Sequence, residues 1–461
     1  MRSSPFMRRG GIGIGIGIGL VAALFGARAE AQEGPRGGDP QAFWRLLGDT
    51  TLERLVSQAI DANQDLRAAE SRLQGARAAR TTAALDLAPV VTAGAGYSRQ
   101  RLASAALPGA AGRLPEQDLW DTNVQLSWEL DVFGRLRNTL RGQNALLASA
   151  EADTRDVQVL LGAAIAREYF ALRGAQDRLA FARRNAENQL RTLEITQERL
   201  EAGSGTALDT ERAQAQLSST LAAIPLLESA VSASQYRIAV LLGRPPETIV
   251  GERADSSTVP VVSFALSGEE RAALLRARPD VRSAASRHSA ERAFVGAAKS
   301  AYLPRLSIGA VAGYTANSFD ALGDAGPPRY AVGPVISWPF LDIGRVKSNV
   351  DAAHARENEA AARYRQTVLD ADAELETSLT GYEKARERLQ HLEDAAAASE
   401  RATDLARLRF EEGGTDFIEV LDAERRQLEA QDRLAEGRSE TSGWLVSVYR
   451  ALGGSAPAGL R

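Results

Sequence analysis

The chain of 461 residues contains no cysteine. This absence excludes disulfide bonds, thiolate metal sites, cysteine nucleophiles and lipid attached through a cysteine. Histidine is also scarce, since His288, His354 and His391 are the three in the sequence and lie far apart. No phosphate-binding glycine loop, serine-nucleophile motif or zinc-protease motif occurs. We therefore expect no catalytic site, no bound metal and no cofactor.

The sequence also lacks a large excess of charge of one sign and, beyond the N-terminus, long apolar segments. The net charge of −4 does not indicate a nucleic-acid partner. Beyond the N-terminus, no stretch of ~18 consecutive apolar residues predicts a transmembrane helix. If the mature chain enters a membrane, it must do so as β-structure, because lipid leaves unpaired backbone groups unsatisfied.

Residues 1–31 are predicted to be a secretory signal peptide. Three arginines precede an apolar stretch, and small residues allow cleavage after Ala29 or Ala31. The alternative, a retained membrane anchor, would need ~20 apolar residues, and the stretch is shorter. Residues 32–50, which begin with a segment rich in glycine and proline, are expected to form an N-terminal leader.

A short segment in the body of the chain occurs twice. Three of its residues return 210 positions later, as the pairs Trp128 and Trp338, Gly134 and Gly344, and Arg135 and Arg345. The same displacement relates two glycines further along, Gly203 and Gly413. A spacing kept over so much of the chain indicates an internal duplication.

Each half changes from a helical apolar pattern to an alternating one and back again. Two alternating segments predict a β-hairpin, and the proline-free segment after the first hairpin, residues 138–201, would be about 96 Å long as a helix. Apolar residues at three- and four-residue spacing predict a coiled-coil seam in both halves. We predict a first repeat at 51–243, a connector at 244–269, a second repeat at 270–453 and a tail at 454–461, with four strands and two long helical hairpins.

Four strands of about nine residues have the length that crosses a bilayer, but they cannot close a barrel, because the smallest membrane barrels have about eight strands. Several chains must then share one barrel. Small polar residues on one face of each strand favour a barrel wide enough for a pore. The predicted fold class is therefore mostly α-helical with a membrane β-barrel, in which a trimer forms about 12 strands and a helical tunnel.

Several segments resemble the outer membrane factor family, the TolC- and OprM-like exit ducts that include the NodT-type components of RND efflux pumps. The resemblance covers about residues 43–453 and is carried by these motifs: Phe43-Trp44, Asn63-Gln-Asp-Leu66, Ser127-Trp-Glu-Leu-Asp-Val-Phe-Gly-Arg135, Arg278-Pro-Asp-Val281, Tyr302-Leu-Pro304 and Leu421-Asp-Ala423. It implies a homotrimer in the outer membrane of a Gram-negative bacterium. The periplasmic tunnel would meet an adaptor (membrane fusion) protein and an inner-membrane RND-type transporter.

The function that the resemblance implies is a passive exit duct for small molecules, as in multidrug resistance. A duct for type I protein secretion is the first alternative, and a periplasmic coiled-coil adaptor or scaffold is a more remote one. OprM-like members commonly carry a lipidated cysteine near the N-terminus. Because this chain has none, we expect the barrel alone to contact outer membrane lipid.

The resemblance places the periplasmic tips of the tunnel at two helical turns. Their residues, to which it assigns adaptor contact and gating, are Gly203, Gly205 and Thr206 in the first turn and Gly413, Gly414, Thr415, Asp416 and Phe417 in the second. The family often has an acidic residue where this chain has Thr415, so Asp416 beside it becomes the candidate gate carboxylate. A purely local interpretation is that Asp416, with Glu419, caps the following helix.

The duplicated segment is expected to form the junction between barrel and tunnel. Trp128 and Trp338 fit either interfacial aromatic residues or packing at this junction. Gly134 and Gly344, beside Arg135 and Arg345, are predicted to free the strand-to-helix turn from the constraint of a Cβ atom.

Overall fold

The structure is a computed structural model that describes residues 42–101, 114–249, 264, 267–323 and 328–456. The predicted signal peptide lies outside the described residues. So do most of the predicted connector and the end of the predicted tail.

The described elements follow the same order in the two halves. The first half contains α1 (Ala42–Leu46), α2 (Thr50–Ala62), α3 (Gln64–Leu85), β1 (Val90–Gln100), β2 (Gln117–Leu130), α4 (Arg135–Glu201) and α5 (Ala207–Leu241). After a 3-10 turn at Pro246–Ile249, the second half contains α6 (Gly268–Ala277), α7 (Pro279–Lys299), a 3-10 turn at Ser300–Tyr302, β3 (Arg305–Ala316), β4 (Arg329–Ser337), α8 (Ile343–Glu411) and α9 (Phe417–Ala451). The predicted fold of the single chain, four strands with two long helical hairpins in a duplicated order, is confirmed.

The helices α4 and α8 are 67 and 69 residues long, which corresponds to about 100 Å each. Most of the predicted seam is buried or partly buried in both helices. The buried seam residues include Leu172, Ala182, Ala186 and Leu193 in α4 and Tyr382, Ala385, Leu389 and Ala396 in α8. Alanine at these positions lets α4 and α8 approach α5 and α9 closely. The helix α5 continues through Pro225 without a break.

The four strands form one antiparallel sheet in the order β1-β2-β3-β4. One face carries small and polar side chains, for example where Gly94 of β1 pairs with Asn123 of β2 and Asn123 pairs with Gly313 of β3. The other face is apolar and exposed, with Tyr330 at 81% and Ile336 at 70%. Among the described residues, β1 and β4 each have one edge without a partner strand.

The strand β2 begins at Gln117, earlier than its apolar alternation indicates. Residues 117–122 are mostly polar, so the sequence pattern hides them. Their backbone nevertheless pairs with β1 as far as Gln117 opposite Gln100.

The main hydrophobic core joins the start of the folded body to its end. Phe43 and Trp44 are fully buried, and the ring of Trp44 lies 4.3 Å from that of Tyr449 in α9, centroid to centroid. Residues 42–46, which the prediction assigned to the N-terminal leader, therefore form a helix that belongs to the core. Their adjacent large aromatic residues are the sequence signal for this burial.

Candidate functional site

The first strand-to-helix junction is held by side-chain contacts on both sides of Gly134. Trp128 donates its indole N–H to the carbonyl oxygen of Leu87, at 2.9 Å. Gly134 has a φ of +78°, in the left-handed region that favours glycine. The carboxylate of Asp131 then accepts hydrogen bonds from the backbone N–H groups of Leu136 and Arg137, both at 2.9 Å. These bonds satisfy two of the free amides at the start of α4.

Arg135 makes a two-pronged ion pair at the same junction. Its Nε and Nη2 atoms donate to the two carboxylate oxygens of Glu129, at 2.9 and 2.7 Å. This paired geometry fixes both side chains. The end of β2 is thereby attached to the first turn of α4.

The second junction keeps the tryptophan contact but changes the turn. Trp338 donates to the carbonyl oxygen of Tyr302 at 3.1 Å, the equivalent of the Trp128 bond. Arg345 pairs with Asp342 at 2.7 Å. Gly344, in contrast, lies inside the first turn of α8 without a positive φ, and a Cβ there would meet nothing within 4 Å. The prediction that Gly344 frees the turn from a Cβ constraint is therefore wrong, whereas Gly134 does adopt the conformation that requires glycine.

Glycines with positive φ end the long helices at both tips. Gly203 has a φ of +72° and Gly413 a φ of +74°. Both turns use the same closing bonds, from the N–H of Ser204 to Arg199 O at 2.8 Å and from that of Gly414 to Arg409 O at 2.7 Å. A Cβ on Gly205 would come within 3.0 Å of the backbone of Leu200, so the first turn is also sterically tight.

The two tips differ in how the next helix begins. Thr206 caps α5, because its hydroxyl oxygen accepts from the N–H of Asp209 at 3.3 Å. Asp416 has the corresponding position before α9 but makes no side-chain capping bond. Thr415 instead donates its hydroxyl to Glu419. The local interpretation of Asp416 as a helix cap is therefore wrong, and its carboxylate is exposed at the tip.

Aromatic residues connect the two tips. Phe417 is buried and packs against Phe410, with ring centroids 5.6 Å apart. The guanidinium group of Arg199, from the end of α4, lies 4.3 Å from the Phe410 ring centroid and donates to the Phe410 carbonyl oxygen at 3.0 Å. The tip of one repeat is thus attached to the tip of the other.

Two clusters of aromatic residues bound the exposed apolar face of the sheet. At the end near the helices, Trp338 lies beside Phe340 with centroids 5.8 Å apart. At the far end, Trp120 contacts Tyr97 and Phe319, at 4.7 and 5.3 Å. In β2, Trp120 and Trp128 share one face eight residues apart, which is about 27 Å along the strand. At the strand tilt of about 35–45° in outer membrane barrels, this length spans about 20 Å along the membrane normal, which is comparable to their ~25 Å apolar band flanked by aromatic girdles.

No group of side chains in the described ranges is placed to hold a metal ion. Within the same residues, no helix is both long and apolar enough to span a membrane.

The family model for outer membrane efflux proteins matches residues 55–244 and 272–454. The chain belongs to the outer membrane efflux protein family. The resemblance noted from the sequence is thereby confirmed, and the chain is an outer membrane efflux protein.

Individual members of the outer membrane efflux protein family are similar over nearly the whole chain. The toluene efflux pump outer membrane protein TtgF of Pseudomonas putida is 30% identical, over 90% of this chain and 86% of its own length. The pyoverdine export outer membrane protein OpmQ of Pseudomonas aeruginosa is 29% identical, over 90% of this chain and 88% of its own. The solved outer-membrane channel OprN is 37% identical, with a TM-score of 0.82 over 91% of this chain and 95% of its own.

Sequence reasoning missed one buried charge near the tip of this outer membrane efflux protein. Glu424 in α9 is 3% exposed. It accepts from Thr192 of α4 at 3.0 Å and from Arg407 of α8 at 2.9 Å. The neighbours Arg425 and Arg426 make this stretch look like a solvated helix face. A weak signal was available, since Glu424 follows the family motif Leu421-Asp-Ala423 directly.

Proposed function

We propose that three copies of this chain form one outer membrane exit duct, in which 12 strands make a shared barrel and the long helices make a periplasmic tunnel. The observation that carries the proposal is the sheet itself. Its apolar face is exposed, is bounded by two aromatic clusters and is comparable in height to the apolar band of an outer membrane barrel. Such a face is costly in water and favourable in lipid.

The open edges of the sheet support the oligomer. An unpaired strand edge in hydrocarbon costs several kcal/mol for each unsatisfied backbone group. In a ring of chains, β4 of one copy would pair with β1 of the next, so that no edge stays open. Two copies would leave a barrel filled by side chains, whereas three leave a pore beside the small polar face.

The partners that we propose are a periplasmic adaptor protein at the helical tips and an inner-membrane RND-type transporter that supplies the energy. The names of the similar proteins TtgF and OpmQ, which describe a toluene efflux pump and pyoverdine export, favour efflux of small molecules over protein secretion. The gate would lie at the tips, where Asp416 is an exposed carboxylate with no capping role. Three such carboxylates on a three-fold axis would repel one another and attract cations.

The sheet pairing can be tested by disulfide crosslinking, because the chain has no native cysteine. Thr92→Cys in β1 is combined in turn with Ala331→Cys, Gly333→Cys or Val335→Cys, which lie on the same polar face of β4. We expect at least one combination to give a ladder that stops at three chains on a non-reducing gel. The matched control Gln125→Cys with Val311→Cys joins neighbours within one sheet and should stay monomeric. Crosslinks confined to single chains, or a ladder that extends beyond three, would refute the shared barrel.

The efflux function is tested by deleting the gene and measuring susceptibility to a panel of drugs, solvents and metal ions. We expect greater susceptibility to small molecules, restored by the intact chain, and co-purification of an adaptor. A protein that fractionates as a periplasmic monomer would overturn both the location and the function.

A further inference from the structure

The helices α4, α7 and α8 border a partly open cavity of about 620 Å³. The helix α7 lies between the other two and packs against both. Equivalent positions of the two repeats line the cavity, since Asp153 and Asp156 of α4 correspond to Arg363 and Gln366 of α8. Equivalent positions of both long helices thus border the cavity. In the proposed duct, we place this side of the helices on the interior of the tunnel.

The cavity has an excess of negative charge. Five carboxylates and three guanidinium groups line it. Each arginine already has an acidic partner: Arg287 donates to Asp153 at 2.7 Å, Arg356 lies 3.6 Å from Glu291, and Arg363 lies 2.6 Å from Glu359. These acids offset the positive charge of the three guanidinium groups.

Two carboxylates remain after these pairs, Asp280 and Asp156. Asp280 accepts from the buried Arg278 at 3.1 and 2.8 Å. Asp156 has neither a hydrogen-bond donor nor an ion-pair partner within the part of the chain that the structure describes. The position equivalent to Asp156 in the second repeat is the uncharged Gln366, so the unpaired charge is specific to α4.

We propose that this cavity is a binding site for an organic cation, with the Asp156 carboxylate as its counter-ion. Ligand pockets commonly have volumes of about 300–1,000 Å³, so the cavity has room for a drug-sized molecule. A metal ion fits less well, since the described side chains form no metal-binding group. The inference rests on the proposed duct for the direction in which the cavity opens, and it deepens that function by naming cationic small molecules as ligands.

The environment of Asp156 makes the binding depend on pH. Burial, together with the negative charges of Asp280, Asp153 and Glu374, raises the pKa of Asp156 to about 6, although the positive charge of Arg278 lowers it. The carboxylate is therefore mostly ionised at about pH 8 and mostly protonated at about pH 5. A cation should bind at the higher pH and be released at the lower one.

The test measures fluorescence titrations of the purified full-length protein with ethidium, a cationic aromatic dye, and with fluorescein, an anionic one. We expect ethidium to bind and to lose affinity below about pH 6. Asp156→Asn should weaken ethidium binding about tenfold at about pH 8 and remove its pH dependence. Asp156→Glu should keep the preference for the cation, and Asp404→Asn, an exposed acid of α8, should change nothing. Unchanged ethidium affinity in Asp156→Asn, or equal binding of both dyes, would overturn the proposal.

A second variant keeps the test valid if Asp156→Asn does not fold. Gln366→Cys places a single thiol on the opposite wall and leaves Asp156 in place. We expect a cationic thiol reagent to react faster than an anionic one, and ethidium to slow the reaction. Equal rates for the two reagents would contradict a cation site.

Failure of this inference is distinguishable from failure of the proposed function. A deletion strain that carries Asp156→Asn should regain resistance to uncharged compounds but not to ethidium. If the unmodified chain restored no resistance at all, the proposed duct would be refuted. Dye binding to the purified protein would still show whether the cavity binds cations.

Discussion

The two strand-to-helix junctions share a sequence motif but not a backbone. At the first, Gly134 is left-handed and Asp131 caps α4. At the second, Gly344 is helical and the residue equivalent to Asp131 is Leu341, which is 88% exposed. Both junctions keep the bond from the tryptophan indole to the carbonyl oxygen before the preceding strand. The duplication has therefore preserved the contact that holds strand to helix, while the turn itself has diverged.

The hairpin helices α5 and α9 show the same divergence. Glu424 of α9 is buried among three helices, whereas the equivalent Gln214 of α5 is exposed and, among the described residues, bonds only to Ser218 of its own helix, at 3.1 Å. A charged side chain thus connects α9 to both long helices. Within the part of the chain that the structure describes, the matching position of the first repeat makes no such contact.

The largest expected effect on stability comes from removing the buried carboxylate of Glu424. Glu424→Ala leaves Arg407 and Thr192 without their shared acceptor, so we expect it to lower the free energy of unfolding by about 3 kcal/mol. The matched variant Gln214→Ala should stay within about 0.5 kcal/mol of the original. Thermal unfolding followed by far-ultraviolet circular dichroism measures both. Equal effects of the two variants would show that the buried acid contributes nothing particular to the tip.

The next largest effect on stability distinguishes the two junction glycines, Gly134 and Gly344. Gly134→Ala forces alanine into a left-handed conformation, which costs about 1–2 kcal/mol. Its Cβ would be 3.6 Å from the nearest side-chain atom, so the cost comes from the backbone and not from a clash. Gly344→Ala should instead be neutral or stabilise α8 by up to about 1 kcal/mol. Thermal melting of the two variants checks the contrast, which similar losses would refute.

A smaller effect on stability depends on pH and is expected at Asp156 but not at its equivalent, Gln366. Because burial raises the pKa of Asp156 to about 6, its charged form destabilises the folded chain above that pH. This penalty disappears as the pH falls towards 3.8, the value in an exposed carboxyl. With solvent screening, Asp156→Asn should add about 1 kcal/mol to stability at about pH 8 and almost nothing at about pH 4. Gln366→Asn should show no such pH dependence in the same melting series.

The smallest effect on stability distinguishes the helix cap at the first tip from the uncapped start of α9 at the second. Thr206→Ala removes the cap of α5 and should cost about 0.5–1 kcal/mol. Asp416→Ala removes no capping bond, so we expect its melting temperature to stay the same. If the carboxylate acts at the gate, Asp416→Asn should change the conductance of the closed channel in a planar bilayer. An unchanged conductance would contradict a gating role for Asp416.

Much of the fold could be predicted from the sequence, because its signals are repeated and periodic. Alternation predicted the strands, and the displacement of 210 residues predicted the duplicated order. The start of β2 was not predictable in this way, since most of residues 117–122 are polar and their pairing with β1 is a property of the folded sheet. The conformation of Gly344 was mispredicted because matching residues do not guarantee matching φ angles.

The candidate sites were less predictable than the fold. The tips were located by their glycines, which have a defined backbone role. The partner of Glu424 in α4 lies 232 positions away along the chain, and no local pattern reports such a contact. The cavity at Asp156 depends on three helices from both halves, so its charge balance exists only in the folded chain.

The contact between Trp44 and Tyr449 has a consequence for how the protein folds. These rings lie near opposite ends of the sequence, so their core cannot form until the last helix has been made and exported. Contacts of such long sequence separation slow folding, because a very large loop must close first. Until then, the apolar surfaces of the first half stay uncovered, and we expect the chain to need a periplasmic holding chaperone between translocation and assembly.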